Sequence, residues 1–260
     1  MNLKYKQFTY GLLALLLSIN LFSASAAEPE VYEEEEVVVT ATRTPRGKSD
    51  TPGETEVITK EEINMTGAET VAEALAKDGL VVSNQGGAAA VSMVQLDGFS
   101  SGQTLVLTNG IPANTGATGT VDLSYFPTAG IDKIEIVHGP LSALYGSNAL
   151  GGVVNIITDL TGEPQTNLEL AKGSFDMGKV SYALQQENFG IAVGGLTTDG
   201  HRDRSETDNL YVIAQYDFFQ NDTGYLTMDL THLVKDSQNP GPQGSVNPLV
   251  DEYAVADGID

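Results

Sequence analysis

Residues 131–158 read IDKIEIVHGPLSALYGSNALGGVVNIIT. Ile131, Ile134, Ile136 and Val137 mark a strand, and Gly139-Pro140 stop it, because proline has no N–H to give to a ladder. Gly151-Gly152 lead into a second β-branched run, Val153-Val154-Asn155-Ile156-Ile157-Thr158. The glycine pair is a backbone device, since no phosphate-loop lysine follows it.

Upstream the segments stay short and mixed. Thr59, before Lys60-Glu61-Glu62, is placed to cap a helix with Glu62 closing a capping box, and Thr70 with Glu73 repeat the device. Val71, Ala74 and Leu75 share a helical face, and Gly79 ends it. Residues 91–96 and 104–107 are predicted strands, and Asn109-Gly110 is a tight-turn dipeptide after the second. Residues 54–160 thus form a small α+β domain.

After Thr161 the pattern changes to alternation. Val180, Tyr182 and Leu184 interleave with Ser181, Ala183 and Gln185, and Phe189, Ile191 and Val193 alternate with small residues. Leu210, Val212, Ala214, Tyr216 and Phe218 share one face, as do Leu226, Met228 and Leu230. With a weaker segment over 168–175, five strands are predicted. Each is close to the ~10 residues of a tilted membrane strand with one apolar face. Half of a soluble β-sandwich has the same period, so alternation alone leaves both open.

The start of the chain sets the compartment. Lys4 and Lys6 precede an apolar run over 12–22, and Ser23-Ala24-Ser25-Ala26-Ala27 follows. A basic start, a short apolar stretch and an A-x-A site over residues 1–26 read as a secretory signal peptide, too short for the ~20 residues of a membrane helix. Six acids then fall within residues 28–36, a charge run normally solvated. Val37-Val38-Val39-Thr40 after it can add to an open sheet edge, and Pro45, Gly47, Pro52 and Gly53 keep the chain irregular to residue 53. That pattern fits a docking peptide in a flexible segment over 27–53. It also fits an ordinary first strand of the next domain.

Composition excludes other classes. The net charge is −22, with 13 Lys+Arg against 35 Asp+Glu among 260 residues, the opposite of a nucleic-acid footprint. There is no cysteine, which removes disulfide scaffolds, thiol catalysis and Cys-ligated zinc. Gly146-Ser147-Asn148 lacks the second glycine of a nucleophile elbow, and His138, His201 and His232 form no HExxH-like pair. No catalytic constellation is found, and no cofactor is expected. Asp199, Asp203 and Asp208, with Glu206, offer oxygen ligands of the kind Ca²⁺ takes, although such a cluster is more often a solvated loop.

These blocks together resemble a TonB-dependent outer-membrane receptor. Residues 36–43, EVVVTATR, are similar to the family's TonB box. Residues 104–127, TLVLTNGIPANTGATGTVDLSYFP, resemble the plug hairpin and its following loop, and residues 131–158 resemble the plug's closing signature. VDLSYFP and the short loops look most like the cobalamin-receptor branch, while siderophore and haem receptors share much of the plug. The resemblance implies an α+β plug domain over 54–160, then the first of the antiparallel transmembrane strands of an incomplete β-barrel over 161–260. It implies an outer-membrane location and three partners: TonB, a metal-chelate ligand such as cobalamin or a siderophore, and outer-membrane lipid. Glu36, Val37, Val38, Val39, Thr40 and Ala41 would bind TonB. Asn84, Gln85, Asn114, Thr115 and Thr118, in loops matching the plug apices, would contact the ligand through neutral hydrogen bonds. Residues 28–50 would reach roughly 75 Å fully extended.

The chain also departs from the family. Asp97 and His138 stand where arginines are common, and Asn109 where Asp is. Those arginines anchor the plug to carboxylates of the wall, and an acid and an imidazole cannot repeat that bidentate pairing. About 22 strands close such a barrel. Five are expected here, so the sequence is expected to be part of a receptor and not to transport alone. The alternative is a plug-bearing periplasmic binding or decoy module that never inserts.

Overall fold

The computed structural model describes residues 37–38, 40, 46–47, 54–84, 91–114, 118–200, 205–221 and 224–238. The signal peptide, the acidic run with Glu36, and Val39, Ala41, Gln85, Thr115 and Asp203 lie outside the described residues.

The first domain is α+β. Its five-stranded sheet runs β3 (Thr55–Thr59), β8 (Ile131–His138), β9 (Gly152–Thr158), β6 (Thr104–Thr108) and β7 (Ile111–Pro112). All neighbours are antiparallel except β6 and β9, which pair in parallel. A separate hairpin joins β4 (Val81–Asn84) to β5 (Ser92–Gln95). Near the N-terminus β1 (Val37–Val38) pairs with β2 (Arg46–Gly47), so the Val37-Val38 strand is not a member of the larger sheet.

Local chemistry sets the helices. Helix α1 (Lys60–Thr66) carries the full capping box: Thr59 Oγ1 accepts from Glu62 N–H, and Glu62 accepts from Thr59 N–H at 2.8 Å. Helix α2 (Val71–Asp78) departs from expectation. Thr70 accepts from Glu73 N–H, but the Glu73 carboxylate takes the Glu69 N–H at 3.0 Å, so the box is not reciprocal. Val71, Ala74 and Leu75 bury one face of α2 against Ile134, Ile136, Val154 and Ile156 of the sheet. Four residues, Ser142–Tyr145, make α3, over the opposite face of the sheet.

The second part is an antiparallel meander of β10 (Gln165–Lys172), β11 (Gly178–Gln185), β12 (Phe189–Thr198), β13 (Thr207–Asn221) and β14 (Gly224–Ser237), in sequence order. Cross-strand partners share a face. One row is Leu168, Tyr182, Val193, Val212 and His232; the adjacent row on the other face is Asn167, Ala183, Ala192, Ile213 and Thr231. Leu168, Leu170, Phe218, Leu226, Met228 and Leu230 are exposed on the apolar side. On the other, Ala192, Tyr211 and Ile213 pack with Leu160 and Ala129 of the first domain. This small and polar inner face is the plug side of a barrel wall, and among the described residues no closed barrel is formed. Among the described residues no helix is long and apolar enough to cross a membrane.

Candidate functional site

Strand alternation builds the site. Ile134 and Ile136 face the helices, so Glu135 between them must face the other side of the sheet. Asn155 sits between Val154 and Ile156 on β9 and is the direct partner of Glu135. The strands thus present a carboxylate and an amide side by side, fully buried and 3% exposed respectively, beneath the 141–149 segment.

Thr40 is docked onto this pair. Its N–H and Oγ1 donate to Glu135 Oε2 at 2.9 and 2.5 Å, Asn155 Nδ2 donates to its Oγ1 at 2.9 Å, and the Tyr145 hydroxyl donates to its carbonyl at 2.8 Å. Every polar group of Thr40 is thereby satisfied. Lys133 Nζ lies 3.0 Å from Glu135 Oε1 and balances the buried charge. Asn155 Oδ1 accepts from Gly110 N–H at 3.1 Å, which ties the Asn109-Gly110 turn to the same cluster. Hydrogen bonds to a charged acceptor contribute about 1.5–3 kcal/mol each, so Thr40 is held firmly against the sheet.

The residues that replace the usual arginines pair with each other. His138 Nδ1 and Asp97 Oδ1 are 2.8 Å apart, Gly139 N–H donates to Asp97 Oδ2 at 3.2 Å, and Glu56 Oε2 lies 3.6 Å from His138 Nε2. Burial pulls the His138 pKa down, but the hydrogen bond and charge of Asp97, then Glu56, outweigh it and leave the pKa raised above 6.5. Asn109 is compensated too: its Nδ2 donates to Thr158 Oγ1 and its Oδ1 accepts from Thr158 N–H, a two-way bond an aspartate cannot make.

Wall contacts reverse the expected polarity. Lys179 of β11 pairs with Glu69 of the first domain and with Glu169 of β10 at 2.9 Å. Lys235 of β14 lies 3.5 Å from Asp122 Oδ2. In these two contacts the cations come from the wall and the acids from the plug.

Of the residues expected to contact the ligand, Asn84, Asn114 and Thr118 lie among the described residues. Asn84 ends β4, and Thr118 Oγ1 lies 2.9 Å from Thr120 Oγ1. Asn114 is committed inward: Oδ1 accepts from Val106 N–H at 2.7 Å, and Nδ2 donates to Thr104 O and Gly119 O at 3.2 and 2.7 Å. Both amide hydrogens are used, so Asn114 braces the loop and has no donor left to offer. Among the described residues no three His, Cys, Asp or Glu side chains gather to hold a metal ion.

Of the expected docking residues, Val37 and Val38 form β1 and Thr40 is latched. Glu135, Asn155 and Tyr145 were not among the expected site residues, although an acid inside Ile134-Glu135-Ile136-Val137 is a visible signal.

Residues 47–153 match the family model of the TonB-dependent Receptor Plug Domain. The vitamin B12 transporter BtuB of Vibrio cholerae serotype O1 is 37% identical over 186 residues, 71% of this chain and 29% of that protein. BtuB of Vibrio vulnificus is 36% identical over 162 residues, 62% and 25% of the two chains. The chain therefore spans under a third of the length of these relatives. In fold it is similar to the pyoverdine outer membrane receptor FpvA of Pseudomonas aeruginosa, with a TM-score of 0.68 and 20% identity over 78% of this chain and 30% of that one. The siderophore receptor PiuA of Acinetobacter baumannii gives 0.63 at 20% identity, covering 80% and 30%.

Proposed function

Because the chain belongs to the TonB-dependent receptors, carrying their plug domain and the wall strands that follow it, we propose that it serves TonB-energised uptake of a scarce metal-bearing ligand across the outer membrane. Cobalamin is favoured among such ligands by the BtuB relatives, and a ferric siderophore is the nearest alternative. The observation that carries the reading is the latch: Thr40 is held by four hydrogen bonds to the plug, beside a two-stranded ribbon that includes Val37-Val38.

The proposed mechanism is built on that geometry. At rest the segment is docked, and its strand edge is already paired with Arg46–Gly47. Ligand bound at the outward loops, through Asn84, Gln85, Thr115 and Thr118 with Asn114 as brace, shifts the plug toward the state in which Thr40 leaves Glu135. The freed 36–41 segment then adds to TonB by main-chain pairing. Release exposes a charged carboxylate that had two donors from Thr40, so the resting state is favoured until ligand or pulling force offsets that loss.

Connector lengths support the orientation. The connectors at 186–188 and 222–223 are short, and those at 173–177 and 199–206 are longer. In outer-membrane barrels the short turns are periplasmic. The exposed apolar face of the wall favours lipid contact over the alternative of a soluble decoy module.

Two measurements test this reading. Joined to the remaining wall strands of a receptor, the chain is expected in the outer-membrane fraction of expressing cells; recovery in the soluble periplasm alone would then favour the decoy. A cysteine at Val38 is expected to crosslink to TonB, and Val38→Pro to abolish TonB binding by removing a main-chain donor. Unchanged binding by Val38→Pro would refute strand addition at this site.

A further inference from the structure

We propose that Lys235 of the wall positions the outward part of the plug through a single carboxylate, Asp122, so that the start of β5 and the seating of the plug on the wall share one junction. Asp122 collects four partners. Its Oδ1 accepts from Ser92 N–H at 2.9 Å, from Ser124 N–H at 3.0 Å and from Ser124 Oγ at 2.5 Å, while Oδ2 faces Lys235 Nζ at 3.5 Å. Ser92 is the first residue of β5. Ser124 lies in the 3-10 turn Leu123–Tyr125 that Asp122 itself caps. Lys235 completes the junction by donating to Ser124 Oγ at 2.5 Å and sitting 4.8 Å above the Tyr125 ring.

Burial makes the arrangement specific. The Lys235 side chain is 1% exposed, so its ammonium depends on Asp122, Ser124 and the Tyr125 face in place of water. An ammonium with three donors suits such a mixed set of partners. Removing one partner alone leaves a buried charge uncompensated, whereas neutralising both removes the link and keeps the local cap, because an amide oxygen still accepts from Ser92 and Ser124. The proposal rests on the uptake reading for its purpose, since the positioned residues flank in sequence the segments assigned to ligand. The positioning itself stands on the geometry.

The test uses the full chain, which has no native cysteine. Spin labels on cysteines introduced at Val91 and His232 measure the distance from the start of β5 to the wall. The parent is expected to give one narrow distance distribution. Asp122→Asn/Lys235→Met is expected to broaden it about twofold or more while a separate label at Val38 and the thermal midpoint stay as in the parent. Lys235→Met alone should broaden it and also lower the midpoint. A narrow, unshifted distribution in the double variant overturns the proposal, and so does broadening matched by an equal loosening at Val38, which would mean general unfolding. Cyanocobalamin supplies an independent arm: if the parent does not bind it, the cobalamin reading fails while the distance result still decides the junction.

Discussion

Thr40 and Glu135, 95 residues apart in sequence, share one carboxylate oxygen twice: the backbone N–H and the hydroxyl of Thr40 both donate to Glu135 Oε2. This makes the resting position of the segment a question of charge. A neutral acceptor of the same shape holds the same two donors less tightly, by about 1–2 kcal/mol in total, or roughly tenfold in population.

Glu135→Gln is therefore expected to raise the undocked fraction about tenfold without unfolding the plug. The measurement is the mobility of a spin label on a cysteine at Val38, read beside amide exchange of the core strand β9. A label as immobile as in the parent, with β9 intact, would show that Glu135 does not hold the latch.

Asn114 gives a sharper pair of variants. Asn114→Asp keeps an oxygen for Val106 N–H but loses both donors, leaving Thr104 O and Gly119 O facing a carboxylate. Asn114→Ala loses all three bonds. Amide exchange at Val106 is expected to remain slow in the aspartate variant and to speed up in the alanine variant, while both loosen the loop and weaken ligand binding. If Val106 exchanges at the parent rate in Asn114→Ala, the brace is not what protects it.

The division between what the sequence disclosed and what it hid follows the range of each interaction. The wall was legible because a period of two commits every residue to a face: Leu168, Tyr182, Val193 and Val212 fall in one row as their alternation required. The Thr59–Glu62 box and the Asn109-Gly110 turn were legible because their bonds span a few residues. The Thr70 box failed locally, because the Glu69 N–H competed for the Glu73 carboxylate. The β4 partner of the 91–96 strand was missed, since Val81-Val82-Ser83-Asn84 is too short to show a period. The latch was hidden altogether: Glu135, Tyr145 and Asn155 meet Thr40 across 95 to 115 residues, and no pattern in a single chain reports such a meeting. Loss of the arginine anchors was visible, but not that wall lysines with plug acids take part of their place.

His138 carries a pH dependence of definite sign. Its folded pKa is raised above 6.5, because Asp97 and Glu56 together outweigh the burial that lowers it. A raised folded pKa means the charged form stabilises the plug below the unfolded value and that this stabilisation fades as pH rises through the folded pKa. The denaturant midpoint is expected to fall as pH rises above 6.5, and His138→Gln should flatten that part of the profile. A profile of equal slope in His138→Gln would assign the dependence to other groups.

Gly152 is expected to be the least replaceable residue of the closing signature. Its φ of 142° is one that side-chain-bearing residues rarely adopt, and a Cβ there would lie 2.3 Å from Val137 O and 2.5 Å from Leu96 Cδ2. The carbonyl belongs to the neighbouring strand β8, whose His138 is the register partner of Gly152, so it cannot move aside without opening the β8–β9 ladder. Leu96 is 2% exposed and packed in the core, so it cannot swing away cheaply either. Gly152→Ala should therefore cost about 2–4 kcal/mol, combining backbone strain with overpacking. Gly139, with a φ of 87° but nothing within 4 Å of its Cβ, pays for strain alone, and Gly139→Ala should cost about 1–2 kcal/mol. Denaturation of the two variants side by side measures the difference. Equal losses would mean that the close approach of Val137 and Leu96 to Gly152 is relieved by a backbone shift, and that conformation alone selects glycine at both sites.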